Sequence, residues 1–209
     1  MKCPPKKKCQ KMASDFHTHH VHPGRRELID NGKGKGPLWS LSFHPWTTAV
    51  FPEISAEDLD SCAALGEVGY DKFKGAAPYP EVQTALFKQF LALAFEHKKS
   101  VVLHTVGSFE LLFEAVKPFQ GLSMLVHGFS KHNPALLGQL LDRGFFVSLH
   151  PSLITDEKII AFLQAHPGCR AGLETDDDPD LDIETLYRSI PVPGFEEAAD
   201  RHFEEFLHL

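Results

Sequence analysis

From Ala13 onward the chain alternates short, continuously apolar runs with longer stretches in which apolar residues recur every three or four positions. The first pattern predicts strands buried on both faces and the second predicts amphipathic helices. Strands are expected at Ala13 to Thr18, Leu38 to Phe43, around Leu65 to Gly69, Ser100 to His104, Leu122 to His127, Phe145 to Leu149 and Arg170 to Leu173. Ser55 with Asp58 three residues later resembles a capping box for a helix to about Ala63. The longest helix is expected from Pro80 to His97, with Val82, Ala85, Leu86, Phe90 and Leu93 as its buried stripe. Ser108 reads as the cap of a helix through Lys117, and Asn133-Pro134 opens another that Gly144 closes. Helices are also expected over Asp156 to Ala165 and from about Ile183 onward, interrupted at Pro191 to Pro193.

Strands alternating with helices imply a parallel sheet covered on both faces. Seven strands are visible, whereas a closed (β/α) barrel usually has eight. Between His22 and Pro37 lie Gly24, Gly32, Gly34 and Gly36, with at most a short helix around Arg26 to Asn31, and too few residues for the roughly 30 of another crossover unit. The expected fold is therefore α/β, a distorted TIM-type barrel with seven strands instead of eight. An open doubly wound sheet is the alternative, but no glycine-rich phosphate turn follows its first strand.

A length of 209 residues favours one domain, expected over 12–209, behind a basic, flexible leader at 1–11. Met12 could itself be the start. The net charge of −7 argues against a broad electrostatic footprint for nucleic acid, although bound cations would invert the local sign. No apolar run approaches the roughly 18 residues of a membrane span, no signal-peptide core is present, and a cytoplasmic location is expected. Cys3, Cys9, Cys62 and Cys169 are too scattered for a disulfide framework, though Cys3 and Cys9 could form a metal knuckle.

Candidate chemistry changes this picture most. In Asp15-Phe16-His17-Thr18-His19, strict strand alternation puts Asp15, His17 and His19 on one face, giving two imidazole ligands and a carboxylate to orient one of them. His17 and His19 close the first strand, Glu67 the third, His104 the fourth and His127 the fifth, and Asp176 follows the last. In a barrel those C-terminal ends form one face, where active sites are built. Four histidines and two carboxylates suit a pair of divalent ions about 3.5–4 Å apart better than a single ion. Glu67 is the expected bridge and Asp176 the expected base. Zn, Mn, Mg, Ni or Co could serve, since such mixed donor sets discriminate poorly.

These motifs resemble the TatD-type metal-dependent hydrolases, often described as deoxyribonucleases. The resemblance covers nearly everything after Met12: Asp15 to His19, Phe43-His44-Pro45, Gly66-Glu67-Val68-Gly69-Tyr70-Asp71, the long helix with Gln83, Phe87, Gln89, Leu91 and Ala94, Val101 to His104, His127-Gly128-Phe129-Ser130, and Leu173-Glu174-Thr175-Asp176. It implies that His17, His19 and Asp176 hold one ion, His104 and His127 the other, and Glu67 bridges them. A water shared between the ions would then attack a phosphodiester, with Asp176 taking its proton. DNA ends or a small phosphoester are the implied substrates. An amidohydrolase-like action on an ester, lactone or amide, or a non-catalytic metal scaffold, are the alternatives. The chain is shorter than the family usually is, and His104 is followed by Thr105-Val106-Gly107 where an arginine is common. Lys131, Lys72 and Arg25 are the candidate phosphate contacts, with Asp177 and Asp178 set against a polyanion.

Overall fold

Each strand of the protein lies parallel to the one before it, and the last returns to the first. In the computed structural model, which describes residues 12–209, β1 (Ser14–Thr18), β2 (Arg26–Asp30), β3 (Trp39–Leu41), β4 (Ala64–Asp71), β5 (Ser100–Val106), β6 (Met124–Phe129), β7 (Phe146–Leu149) and β8 (Ala171–Leu173) pair in chain order. The register Asp15 to Leu173 closes the barrel. Helices α1 (Ala56–Ser61), α2 (Glu81–His97), α3 (Phe109–Val116), α4 (Pro134–Asp142), α5 (Glu157–Ala165), α6 (Ile183–Ser189) and α7 (Phe195–Leu207) follow β3 to β8. The leader at 1–11 and its Cys3/Cys9 pair lie outside the described residues. Among the described residues no helix is long and apolar enough to cross a membrane.

The barrel has eight strands, so the expected seven is corrected. The additional strand is β2, in the stretch where at most a short helix was expected. Its connections, residues 19–25 and 31–38, contain no helix. An extended chain advances roughly 3.3–3.6 Å per residue. Seven residues therefore span about 23–25 Å, enough to retrace a five-residue strand of about 17 Å without a crossover helix.

The buried face of α2 also differs from the expected stripe. Leu86 and Phe90 are buried as expected, but Val82 and Ala85 face solvent, while Gln83, Phe87, Leu91 and Ala94 pack inward. Gln83 is buried because its amide is used at both ends, accepting from Asp71 N at 3.0 Å and donating to Asp71 O at 2.9 Å and Ala77 O at 3.0 Å. Ser55 caps α1 by accepting from Asp58 N at 3.1 Å. Ser108 precedes α3 but donates to the Tyr79 hydroxyl instead of capping.

Helix α7 touches the first residues of several strands and so covers the N-terminal end of the barrel. Asp200 Oδ1 accepts from Ser14 N at 2.9 Å and Ser14 Oγ at 2.8 Å, and Phe206 O accepts from Ser100 Oγ and Ser123 Oγ. Phe16 packs edge-on against Phe203 at 5.3 Å between centroids, directly over Gly172, where a Cβ would stand 2.1 Å from the Phe16 ring. These contacts fill one end of the barrel and leave the ladder's C-terminal end open. Gly172→Ala is expected to destabilise the fold by about 1–3 kcal/mol through overpacking, lowering the melting temperature by about 2–4 °C per kcal/mol. Thermal melts of the two proteins measure this, and equal stability would mean that Phe16 yields at no cost.

Candidate metal centre

All six side chains expected from the sequence converge at the C-terminal mouth of the barrel, around Glu67. Its Oε1 lies 3.2 Å from His17 Nε2 and 3.3 Å from His19 Nε2. Its Oε2 lies 3.1 Å from His104 Nδ1 and 2.5 Å from His127 Nε2. Asp176 Oδ1 approaches His19 Nε2 at 3.5 Å and His17 Nε2 at 3.9 Å. The backbone fixes that approach, since His19 N donates to Asp176 O at 2.8 Å and Asp176 N donates to His17 O at 3.1 Å.

Strand pairing shifts register at three places: between Asp15 and Thr18, between Leu65 and Val68, and between Val126 and Phe129. Each interval contains a member of the cluster, His17, Glu67 and His127 respectively. Such irregularities re-aim a side chain relative to the regular pleat, and here they turn three strands toward one point. They also overturn the expectation for Asp15. Instead of orienting a ligand imidazole, its carboxylate accepts from Thr175 N at 3.1 Å, Thr175 Oγ1 at 2.7 Å and His17 N at 3.3 Å.

The carboxylates behind the histidines come from elsewhere. Asp30, on the unforeseen β2, has Oδ2 3.6 Å from His19 Nδ1. Asp71 has Oδ2 3.3 Å from His104 Nε2, and the same oxygen accepts from Trp46 Nε1 at 2.6 Å. Glu174 has Oε2 3.9 Å from His127 Nδ1 and accepts from Ser148 Oγ at 2.5 Å. One histidine was missed as a candidate ligand: His44 Nε2 is 3.4 Å from Glu67 Oε2 and joins Glu67 and His104 in a ligand cluster. The signal was available, because His44 follows β3 at the same strand-end phase as the other histidines.

Burial resists charge on Glu67, but His127 and His17 outweigh it and hold the carboxyl well below its ordinary range. For Asp176 burial is likewise overcome, by the His19 hydrogen bond and the neighbouring imidazoles, and the carboxyl falls to about 2. His17 is raised to about 9 against the cost of burial, because Glu67 faces it. His19 rises to about 10 through its contacts with Asp176 and Glu67. His127 instead is lowered, by burial and by the proximity of His17, despite Glu67. Glu174 is raised well above normal by burial and by Asp176. One carboxylate thus cannot keep every surrounding imidazole protonated, and divalent cations are the alternative source of positive charge.

The donors fit such ions. His17 Nδ1 and Nε2, Glu67 Oε1 and His127 Nδ1 are buried without a hydrogen-bond partner. Three groups bring one ligand atom per residue within 4.8 Å of the others: His17, His19 and Glu67; His17, His127 and Asp176; and His44, Glu67 and His104. Imidazole with carboxylate is a donor set for Zn, Mn, Ni or Co. Of the candidate phosphate contacts, Lys72 and Lys131 are exposed. Arg25 is engaged away from the mouth, with Asp182 at 2.7 Å and Glu184 at 2.6 Å.

Residues 9–191 match the family model described as TatD related DNase. No curated protein matches the chain. Among solved structures it is similar to the TatD homologue YJJV from Escherichia coli K12, with 17% identity, a TM-score of 0.72, and coverage of 94% of this chain and 98% of that one. It is also similar to a TatD family hydrolase from Entamoeba histolytica, with 13% identity, a TM-score of 0.61, and coverage of 95% and 93%. An uncharacterized amidohydrolase from Saccharomyces cerevisiae gives 13% identity, a TM-score of 0.58, and coverage of 94% of each chain.

Asp71 fixes which nitrogen of His104 faces Glu67, and Trp46 fixes Asp71. Removing the carboxylate charge behind a ligand imidazole costs about 10- to 100-fold in metal affinity. Asp71→Asn is expected to show that loss in chelator competition while its circular dichroism stays unchanged. Unaltered affinity would mean that His104 needs no support from Asp71.

Proposed function

Because the chain belongs to the TatD related DNase family, we propose that this metal-dependent hydrolase is a phosphodiesterase that removes nucleotides from nucleic-acid ends. The observation that carries the proposal is the division of Glu67, one oxygen toward His17 and His19 and the other toward His104, His127 and His44. A carboxylate with a donor set on each side is the arrangement that bridges two cations. In this reading His17, His19 and Asp176 would hold one ion, His104 and His127 the other with His44 beside them, and Glu67 would serve both. Ions so held would polarise water and the phosphoryl oxygens.

The chain's own groups supply the remainder. Asp176 is the carboxylate of the set that opens to solvent, with a quarter of its side chain exposed. Despite burial, its carboxyl is held down to about 2 by the His19 hydrogen bond and the neighbouring imidazoles, and it is ionised at neutral pH. Beside the ions it would help hold, it can take the proton of the water that attacks phosphorus, and as the P–O bond to the sugar oxygen of the remaining strand breaks, that oxygen takes up the proton from Asp176. Glu67 stays ionised and dry, and it orients the imidazoles instead of exchanging protons.

A lip beside the mouth suits the end of a strand. Trp46 is 46% exposed, Phe73 is 75% exposed, and Lys74 Nζ lies 4.4 Å from the Trp46 ring centroid. The Lys72 side chain flanks Phe73 beside Gly107. Exposed aromatics with lysines form a platform for stacking bases and meeting phosphates, and each stacked base is worth about 1–3 kcal/mol.

Glu67→Gln is expected to reduce turnover of an end-labelled single-stranded oligonucleotide by at least about 10³-fold, near the upper range for loss of an electrostatic group in a dry site. A panel of oligonucleotides, small phosphoesters, lactones and amides, each supplied with Zn or Mn, decides the substrate class. Turnover of the small substrates alone would replace the nuclease reading with an amidohydrolase-like one, and metal binding without any turnover would leave a non-catalytic scaffold. Phe73→Ala is expected to raise KM for oligonucleotides about 5- to 100-fold with kcat nearly unchanged, and a KM at the wild-type value would remove the lip from substrate binding.

A further inference from the structure

Behind the mouth, a second group of ligand-type side chains lies where β1, the 19–25 crossover and β2 meet. Asp15 and Glu27 are register partners on the parallel strands β1 and β2, and they are 1% and 5% exposed. Like charges set directly opposite each other across a strand pair are unfavourable, and burial deepens the penalty. Among the described residues Glu27 is met by His22, whose N and Nδ1 lie 2.8 and 3.0 Å from its two oxygens. His22 Nδ1, 3.0 Å from Glu27 Oε2, stands at the separation of two ligands on one ion, so a cation can take the place of the proton between them.

One ligand atom from each of Asp15, His22 and Glu27 lies within 4.8 Å of the others. They line a cavity of about 120 Å³ together with Asp182 and Thr175. Arg25 also borders it, but its guanidinium is neutralised by Asp182 and Glu184. Unfilled lone pairs remain on both carboxylates, because an ionised carboxylate has about four acceptor sites. Asp15 fills three and Glu27 two.

We propose that Asp15, His22 and Glu27 bind a divalent cation of the zinc or manganese type, separate from the ions at the mouth, that staples the helix-less β1–β2 crossover to the barrel. The role is structural, since a seven-residue crossover has no helix to pack it down, and a cation would cancel the repulsion between the two strands.

The test counts ions by mass spectrometry after equilibrium dialysis of the full chain against Zn(II), in wild type, His22→Gln, Glu27→Gln and Glu67→Gln. His22→Gln keeps an amide that can still donate to Glu27, so it guards against a failure to fold. The expected result is that His22→Gln and Glu27→Gln each carry one ion fewer than wild type, while Glu67→Gln retains that ion. Zinc absorption spectra of Glu67→Gln should then fit one nitrogen and oxygen ligands. In the same Glu67→Gln background, added zinc should raise the melting temperature, and His22→Gln should abolish the rise. Equal ion counts in wild type and His22→Gln, or a Glu67→Gln protein that holds no zinc, would overturn the proposal. Failure of the mouth reading has a different signature, Glu67→Gln binding as many ions as wild type.

Discussion

The structure depends on a single carboxylate held in a dry ring of imidazoles. Glu67 is 1% exposed and reaches four of its five neighbouring histidines within 3.3 Å. An ionised carboxylate removed from water costs several kcal/mol unless opposite charge and hydrogen bonds meet it. Buried imidazoles carry the complementary problem, since each must find a partner for its nitrogens. Neither component is tenable alone in this environment. The positive charge that reconciles them comes from protons or from cations, because no lysine or arginine contacts Glu67 among the described residues.

The barrel delivers these groups economically, with β1, β4, β5 and β6 each carrying at least one of them in the strand itself. Rigidity comes from the ladder, and aim comes from the three register shifts that coincide with His17, Glu67 and His127. A second layer of carboxylates, Asp30, Asp71 and Glu174, arises from the same strand ends or just beyond them. Position in the repeat therefore sets both which residues meet and which residues support them.

That phase rule explains what could be read in the sequence. His17, His19, Glu67, His104, His127 and Asp176 were legible because a strand followed by its last residues is visible in a hydrophobicity pattern. His44 obeys the same rule, three residues past the end of β3 and 3.4 Å from Glu67. Asp15 was misplaced because a register shift leaves no trace in the pattern, so strict alternation put it on the wrong partner. The strand β2 escaped notice for a different reason. Its residues Arg26, Glu27, Leu28, Ile29 and Asp30 are charged at three of five positions, the opposite of a buried parallel strand, and Glu27 and Asp30 are nevertheless buried. The misread face of α2 is related: Gln83 is buried by hydrogen bonds to Asp71 and Ala77, a reason that apolar periodicity cannot carry.

A barrel shortened around β2 can keep its mouth because helices and strands do separate work in this fold. Crossover helices cover the outside of the sheet, whereas the ligands ride on the sheet itself. Where the helices are missing, polar contacts take over the covering role: Arg26 with Glu204 at 3.0 Å, Arg25 with Asp182 and Glu184, and His22 with Glu27. Such contacts substitute poorly for apolar burial when exposed, being worth about 0–1 kcal/mol apiece. Glu27 is buried, where an unpaired carboxylate would be costly, and His22 meets that need. Asp30 faces His19 and Glu27 meets His22, so an apolar β2 would lose both contacts.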